Sequence, residues 1–329
     1  MSGSDEVSNP FASPDPSVPA VPLARQPEQL PPPPWAAPQF GLPDPPPPYG
    51  QVPLSVLPHP APQEVPTFGY GRVVEGRRVE SPWPGAPLQA IDAAIAGRAL
   101  IRPRWGITGS VVSLVLAVIV TNVVGIAYAI SAPDRYPYTV ILLFLTLATE
   151  WLFLGGWPLL ASWVRGNGPR IDFGFSLSWR DIGPGLAGGL STLIVAVVIG
   201  VITAAIFGSF TSNAGQAAGE LSKHHAVQTL FLLLGVFVAP VFEELAFRGL
   251  LWSALAKRGL NPWWCTVITA VAFAAVHLEP IRFALLAGAG LVLGLLRQVT
   301  GRVGPSLIAH MTLNAVAFFG ASGVLLLHW

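Results

Sequence analysis

From about residue 105 onward the chain is a series of long apolar runs broken by short polar clusters, and each run approaches the ~20 residues a helix needs to cross a bilayer core. The pattern predicts spans at about 108–131, 138–164, 184–208, 227–254, 262–279, 281–299 and 304–327, which is seven helices. Pro at 184, 262, 280 and 305 falls at or near a predicted helix start, where its missing N–H costs little. Gly185 with Gly189, and Gly290 with Gly294, are one turn apart and suit close packing between helices. The fold class expected is all-α: a polytopic transmembrane helix bundle of about seven spans, the membrane domain occupying 105–329 and its chemistry 227–327.

Before residue 105 no such pattern exists. Residues 1–104 hold much of the chain's Pro, including the runs PPPPW at 31–35 and PPPPY at 45–49, and are expected to be a disordered, Pro-rich tail with polyproline II character. Pro46 to Tyr49 has the shape of a WW-domain ligand, although a plain spacer is the commoner use of such a run. Residues 86–100, APLQAIDAAIAGRAL, place apolar positions at helical spacing and predict a short amphipathic helix at the membrane surface. The first ten residues have neither the basic nor the apolar part of a cleaved signal peptide.

Composition agrees with a membrane protein: 52% of the 329 residues are hydrophobic and 11% charged, against about a quarter charged in soluble domains. A net charge of +1 gives no basic excess for nucleic acid. The single cysteine, Cys265, excludes an internal disulfide framework and a cysteine-built metal site. Loop charge orients the bundle. Arg98, Arg102 and Arg104, then Arg165, Arg170 and Arg180, then Lys257 and Arg258, then Arg297 and Arg302 fall on alternate loops; the opposite set has Arg135, Lys223 and Arg282. Basic loops favour the cytoplasmic side, which puts the N-terminal tail in the cytoplasm of a multi-pass cell-membrane protein.

Ionisable groups inside apolar spans are costly and usually face a bundle interior. Here they are Glu150, Glu243, Glu244, Arg248, His277, Glu279 and His310, joined by the polar Asn122 and Asn314. In VFEELAFRG, Glu244 and Arg248 are four apart with the acid first, the better orientation for a pair on one helix face. Glu243 is turned by about 100° from Glu244, so it is a carboxylate near an ion pair but not consumed by it, a candidate general base. FAAVH sets Phe273 and His277 on one face, and HMTLN does the same for His310 and Asn314. Glu243, His277, His310 and Asn314 could converge to position a water or to hold a divalent metal such as zinc. Taken singly, each has a structural reading: an ion pair that braces a helix, an interfacial histidine, interhelical hydrogen bonds. Glu150 is read as a structural polar contact. Depth poses a problem, because Glu243 and His277 fall near or past mid-membrane from the cytoplasmic side while His310 is shallower.

These three blocks, E243-E244-L-A-F-R248, F273-A-A-V-H277 and H310-M-T-L-N314, resemble the motifs of the CPBP family of intramembrane proteases, also called the ABI or CAAX-protease and bacteriocin-processing family. That family includes the type II CAAX prenyl endopeptidases. The resemblance covers roughly 227–327, and all three blocks stand in order without substitution. It implies an endopeptidase acting on a membrane-associated peptide or protein, with Glu243 activating the water and His277 binding the water or a metal. His310 would complete the site, Asn314 would stabilise the oxyanion, and Glu244 with Arg248 would orient Glu243. The resemblance leaves open a metalloprotease, with His277 and His310 as ligands, or a glutamate-activated water without zinc. It is also compatible with a non-proteolytic protein giving bacteriocin immunity or scaffolding through the same cluster. A proton-coupled transporter would call for an inverted repeat, which the sequence lacks.

Overall fold

The computed structural model describes residues 70–131 and 138–321. The WW-like stretch at 46–49, with the rest of 1–69, lies outside them.

The described chain begins with a small cap. Strands β1 (Gly71–Val74) and β2 (Arg77–Glu80) pair antiparallel, Gly71 opposite Glu80. They are joined through Glu75 and Gly76, both at positive φ, as a two-residue hairpin requires. Helix α1 (Leu88–Ile95) follows. Residues 70–104 therefore differ from the disordered tail expected to 104. The reason is a set of scattered apolar anchors, Trp83, Ala86, Ala90 and Leu100, that pack with Ile171, while Tyr70, Leu88 and Ile91 join the main core. Within the predicted 86–100 helix, only Leu88–Ile95 is helical, and its Leu88, Ala90 and Ile91 are buried against protein.

The rest of the described chain is helical. Helix α2 (Ile107–Ser131) is followed by α3 (Tyr138–Trp151), which runs through a π-helical segment, Leu152–Gly156, into α4 (Trp157–Arg165). A single turn, α5 (Pro169–Asp172), leads to α6 (Ile182–Phe207) and the short surface helix α7 (Asn213–Glu220). Then α8 (His225–Leu233), α9 (Ala239–Glu244) and α10 (Trp252–Lys257) form one rod joined by π segments Leu234–Val238 and Leu245–Leu251. Helices α11 (Pro262–Val276), α12 (Phe283–Thr300) and α13 (Gly304–Ala321) close the bundle. Two π segments end two residues before a proline, Pro158 and Pro240. Proline cannot donate the regular i to i−4 bond, so the preceding turn widens.

Five helices among the described residues are long and apolar enough to cross a membrane: Ile107–Ala127, Val140–Arg165, Trp179–Phe207, His225–Lys257 and Pro280–Thr300. The expected count of seven is not met. Helix α11 has 15 residues, about 22 Å at 1.5 Å each, and α13 reaches the edge of the described residues. The spans carry exposed apolar faces, such as Val123, Ile126, Ile194, Val201 and Ile206, which suit lipid. The glycine pairs do the packing expected of them. A side chain on Gly185 or Gly189 would press on Ile308 or Thr312 of α13, and one on Gly294 on Thr266 of α11.

The basic ends assemble on one face. The Arg104 N–H donates to the Arg165 carbonyl (2.7 Å), Lys257 Nζ bonds the Pro103 carbonyl (2.8 Å), and Arg302 pairs with Asp181 (3.0 Å). At the opposite end the Asn213 N–H donates to Glu279 (2.6 Å), which also pairs with Arg282. The chain has thus changed ends between Lys257 and Glu279 despite the shortness of α11.

Candidate active site

The rod α8–α9–α10 supplies the two glutamates. The π segment that joins α9 to α10 starts directly after Glu244 and contains Arg248. Such single-turn bulges are frequent at functional sites, where they re-aim side chains. Glu244 and Arg248 are both fully buried, and Arg248 Nη1 donates to Glu244 Oε1 at 2.8 Å. Arg248 also donates through Nη2 to the Gly290 carbonyl (3.0 Å), and its guanidinium lies over the Phe273 ring at 4.8 Å. Gly290 makes that reach feasible, since a Cβ there would meet the backbone of Ala270 at 3.0 Å and push α11 and α12 apart.

His310, on α13, bridges the two glutamates. Its Nδ1 is 2.9 Å from Glu244 Oε1, and its Nε2 is 3.6 Å from Glu243 Oε2. Against an ionised Glu244, Nδ1 can only donate, which leaves Nε2 as the acceptor-capable nitrogen of a neutral ring. The two carboxylates differ in setting. Glu244 is sealed, with Oε2 buried and without a hydrogen-bond partner, whereas the Glu243 side chain keeps 16% of its surface exposed.

Phe273 organises the histidines. Its ring meets His277 at 4.7 Å and His310 at 5.6 Å, both tilted edge to face, and Phe247 packs on it at 5.4 Å. His277 Nδ1 is 2.7 Å from the Phe273 carbonyl, so its Nε2 is the nitrogen left for chemistry. The chain turns sharply after His277 through Leu278, a non-glycine residue at φ 53°. A bulky side chain in the left-handed region is strained, and here it ends α11 at the histidine.

Asn314 lies on α13 one turn beyond His310. Its Nδ2 donates to the Gly235 carbonyl (2.9 Å), a group in the second π segment, so one amide proton ties α13 to the rod and one is left. Glu243, Glu244, Arg248, Phe273 and His310 are therefore in direct contact, His277 reaches them through Phe273, and Asn314 is attached one layer away. The depth problem is resolved by length. The stretch His225–Lys257 has 33 residues, well beyond the ~20 needed to cross. Its last turns reach Pro103 and Trp105 through Lys257, and Glu244 meets His310 directly.

Glu150 lies on α3 next to Trp151, where that helix meets the rod beside Glu243. Trp151 stacks on Phe242 at 5.4 Å and 22°, and a Cβ on Gly155 would collide with the same Phe242 ring. Sequence reasoning missed this contact because it joins two helices almost a hundred residues apart, and neither helix carries a local sign of it.

Among the described residues no three His, Cys, Asp or Glu side chains are grouped as a metal would require. His310 turns both ring nitrogens to the glutamates and His277 turns Nδ1 to its own helix, so the donor set in this arrangement does not fit a zinc site with an open position.

Residues 225–316 match the family described as Type II CAAX prenyl endopeptidase Rce1-like. This segment is thus similar to that family. It contains Glu243, Glu244, Arg248, His277, His310 and Asn314, so every residue of the cluster falls inside the match. The chain is also similar to the protein named "Putative membrane peptidase YdiL" of Bacillus subtilis (strain 168), 26% identical over 148 residues, which is 45% of this chain and 57% of that protein. The chain thus spans a little over half the length of this curated relative. No solved structure matches the chain. The Rce1-like family is one of proteases, in keeping with a multi-pass membrane protein whose polar cluster is confined to the same segment.

Proposed function

We propose that the chain is an intramembrane endopeptidase in which Glu243 activates a water for attack on a peptide carbonyl. The observation that carries the reading is the asymmetry of the adjacent glutamates. Glu244 is sealed into a pair with Arg248 and His310, and Glu243 is left partly exposed beside His310. In the proposed reaction Glu243 takes a proton from a water lying between it and His277 Nε2, and the water oxygen bonds to the scissile carbonyl carbon. The carbonyl electrons move to oxygen, and donors aimed at that oxyanion stabilise it. The second amide proton of Asn314 is the candidate. Collapse breaks the C–N bond as Glu243 returns its proton to the leaving amine. No step runs through a metal, so chelators are expected to leave cleavage intact, and loss of activity that zinc restores would favour the metal reading of His277 and His310.

The substrate class follows the family description: a membrane-associated peptide or protein, with a prenylated C-terminal segment as the first to try. The gathering of Arg104, Arg165, Lys257 and Arg302 at one end supports a cytoplasmic N-terminus for the same protein. The test is cleavage in proteoliposomes, read by mass spectrometry of the products, of one peptide with and without a farnesyl group. Glu243→Gln is expected to lower the rate by about 10²–10⁴-fold, the usual worth of a general base. Unchanged cleavage by that variant would sink the proposal, and equal rates on both peptides would remove the prenyl requirement.

A further inference from the structure

The π segment that carries Arg248 lacks the proline that follows each of the other two, at Pro158 and Pro240, so another contact must hold its wider turn. We propose that Arg297 of α12 is a positioning residue for the reaction: it clamps this segment at the Arg248 backbone and thereby fixes the direction of the Glu244–Arg248 pair against which Glu243 and His310 are set.

A buried arginine without a carboxylate is costly in an apolar span and marks a functional demand. Arg297 is such a residue. It is fully buried, no carboxylate among the described residues pairs with it, and its Nη2 has no hydrogen-bond partner. What it does touch lies on both sides of the pitch change. In a regular helix the Trp252 N–H would bond to the Arg248 carbonyl, four residues back. Here that N–H goes to the Phe247 and Gly249 carbonyls, and Arg297 Nε donates to the Arg248 carbonyl at 3.3 Å. The Arg297 guanidinium also lies over the Trp252 ring at 4.6 Å, and that ring is tied through Nε1 to Thr266 of α11 (3.3 Å). Arg248 is thus gripped by α12 at two points. Its Nη2 donates to the Gly290 carbonyl (3.0 Å), and Arg297 stands about two turns further along the same helix. On the cap side, Tyr70 Oη accepts from Arg297 Nη1 (3.4 Å) and shares its proton between the Arg297 and Gln298 carbonyls (3.1 and 2.8 Å). The cap therefore holds α12, and Arg297 holds the rod.

Arg297 positions catalysis only if the endopeptidase reading holds, but the clamp stands without it, and the two are measured separately. Arg297→Met, Arg297→Lys and Tyr70→Phe are made in the full chain. Cleavage in proteoliposomes gives kcat and KM per folded molecule, and deuterium uptake of the 245–253 stretch is followed by mass spectrometry without substrate. Arg297→Met keeps most of the bulk but no donor, and should lower kcat at least about tenfold, the worth of one charge-assisted hydrogen bond, with KM within about twofold. Exchange in 245–253 should quicken by about tenfold as well, with that of α13 unchanged. Arg297→Lys, which keeps a donor for the carbonyl, should lose only about threefold in kcat, and Tyr70→Phe, which releases the cap but leaves Arg297 in place, no more than that. Unaltered exchange in Arg297→Met overturns the clamp whether or not the chain cleaves. Quickened exchange with kcat unchanged overturns the positioning role. So does a kcat loss in Tyr70→Phe as large as that in Arg297→Met, which would make the cap the agent. Quickened exchange in Arg297→Met with no cleavage by the unaltered protein would keep the clamp and sink the endopeptidase reading.

Discussion

Two fully buried carboxylates, Glu244 and Asp172, have opposite surroundings. Asp172 sits outside the apolar spans, and Trp105, Ser162 and Asn167 supply neutral donors to both its oxygens. Glu244 sits inside a span, holds Arg248 and His310 on one oxygen, and leaves the other without a partner. The first is a strut that joins three chain segments. The second is a charge held in apolar surroundings chiefly by Arg248, with one oxygen left without a partner and Glu243 next to it in the chain. A buried acid with every bond made holds structure, whereas one with a deficit, next to a less buried acid, is where chemistry can be done. The same division appears at the scale of helices. The most hydrophobic window of His225–Lys257 is 44% buried, against 11% for Trp179–Phe207, which turns mainly to lipid.

Removing the charge that Glu244 depends on should have the largest effect on stability. Arg248→Ala strands a buried carboxylate and is expected to cost about 3–5 kcal/mol, seen as loss of the folded, monodisperse protein in detergent. Asp172→Asn turns an amide donor towards groups that themselves donate and should cost less, about 1–3 kcal/mol. Cleavage per folded molecule should be unchanged, which thermal melting and active-fraction measurements together would show. If Asp172→Asn lowered the rate per folded molecule as well, the separation between strut and site would fail. The smallest effect on stability is expected from Asn314→Ala, about 1 kcal/mol for the lost bond to Gly235. A rate loss far beyond that, with the melting point nearly kept, would mark the second amide proton as an oxyanion donor.

Much of this was legible in the sequence, because membrane helices write themselves in long apolar runs and because i to i+4 spacing fixes a helix face. Glu244 and Arg248 paired as their spacing predicts, and the glycine pairs sit where helices touch. What periodicity could not reach was any feature set by tertiary contact or by a change of helical pitch. The π segment after Glu244 has no proline to announce it. Asn314 is drawn to a carbonyl in another π segment, and the helix of Glu150 meets the rod of Glu243 where Phe242 packs against Trp151 and Gly155. The cap formed from Tyr70 onward was masked by its Pro-rich neighbourhood. Its few aromatic anchors are too widely spaced to form a pattern, yet Tyr70 Oη donates to the carbonyl of Gln298 (2.8 Å) and burial raises its phenol to about 12.

The most direct measurement compares Glu243→Gln with Glu244→Gln in one preparation, reading melting temperature and cleavage rate for each. Glu243→Gln should melt within a few degrees of the unaltered protein and show almost no cleavage. Glu244→Gln should melt far lower, because Arg248 then lies buried without its counter-charge, and should keep measurable cleavage per folded molecule. Full cleavage by Glu243→Gln, or an unaltered melting temperature in Glu244→Gln, would contradict the division of labour between the two glutamates.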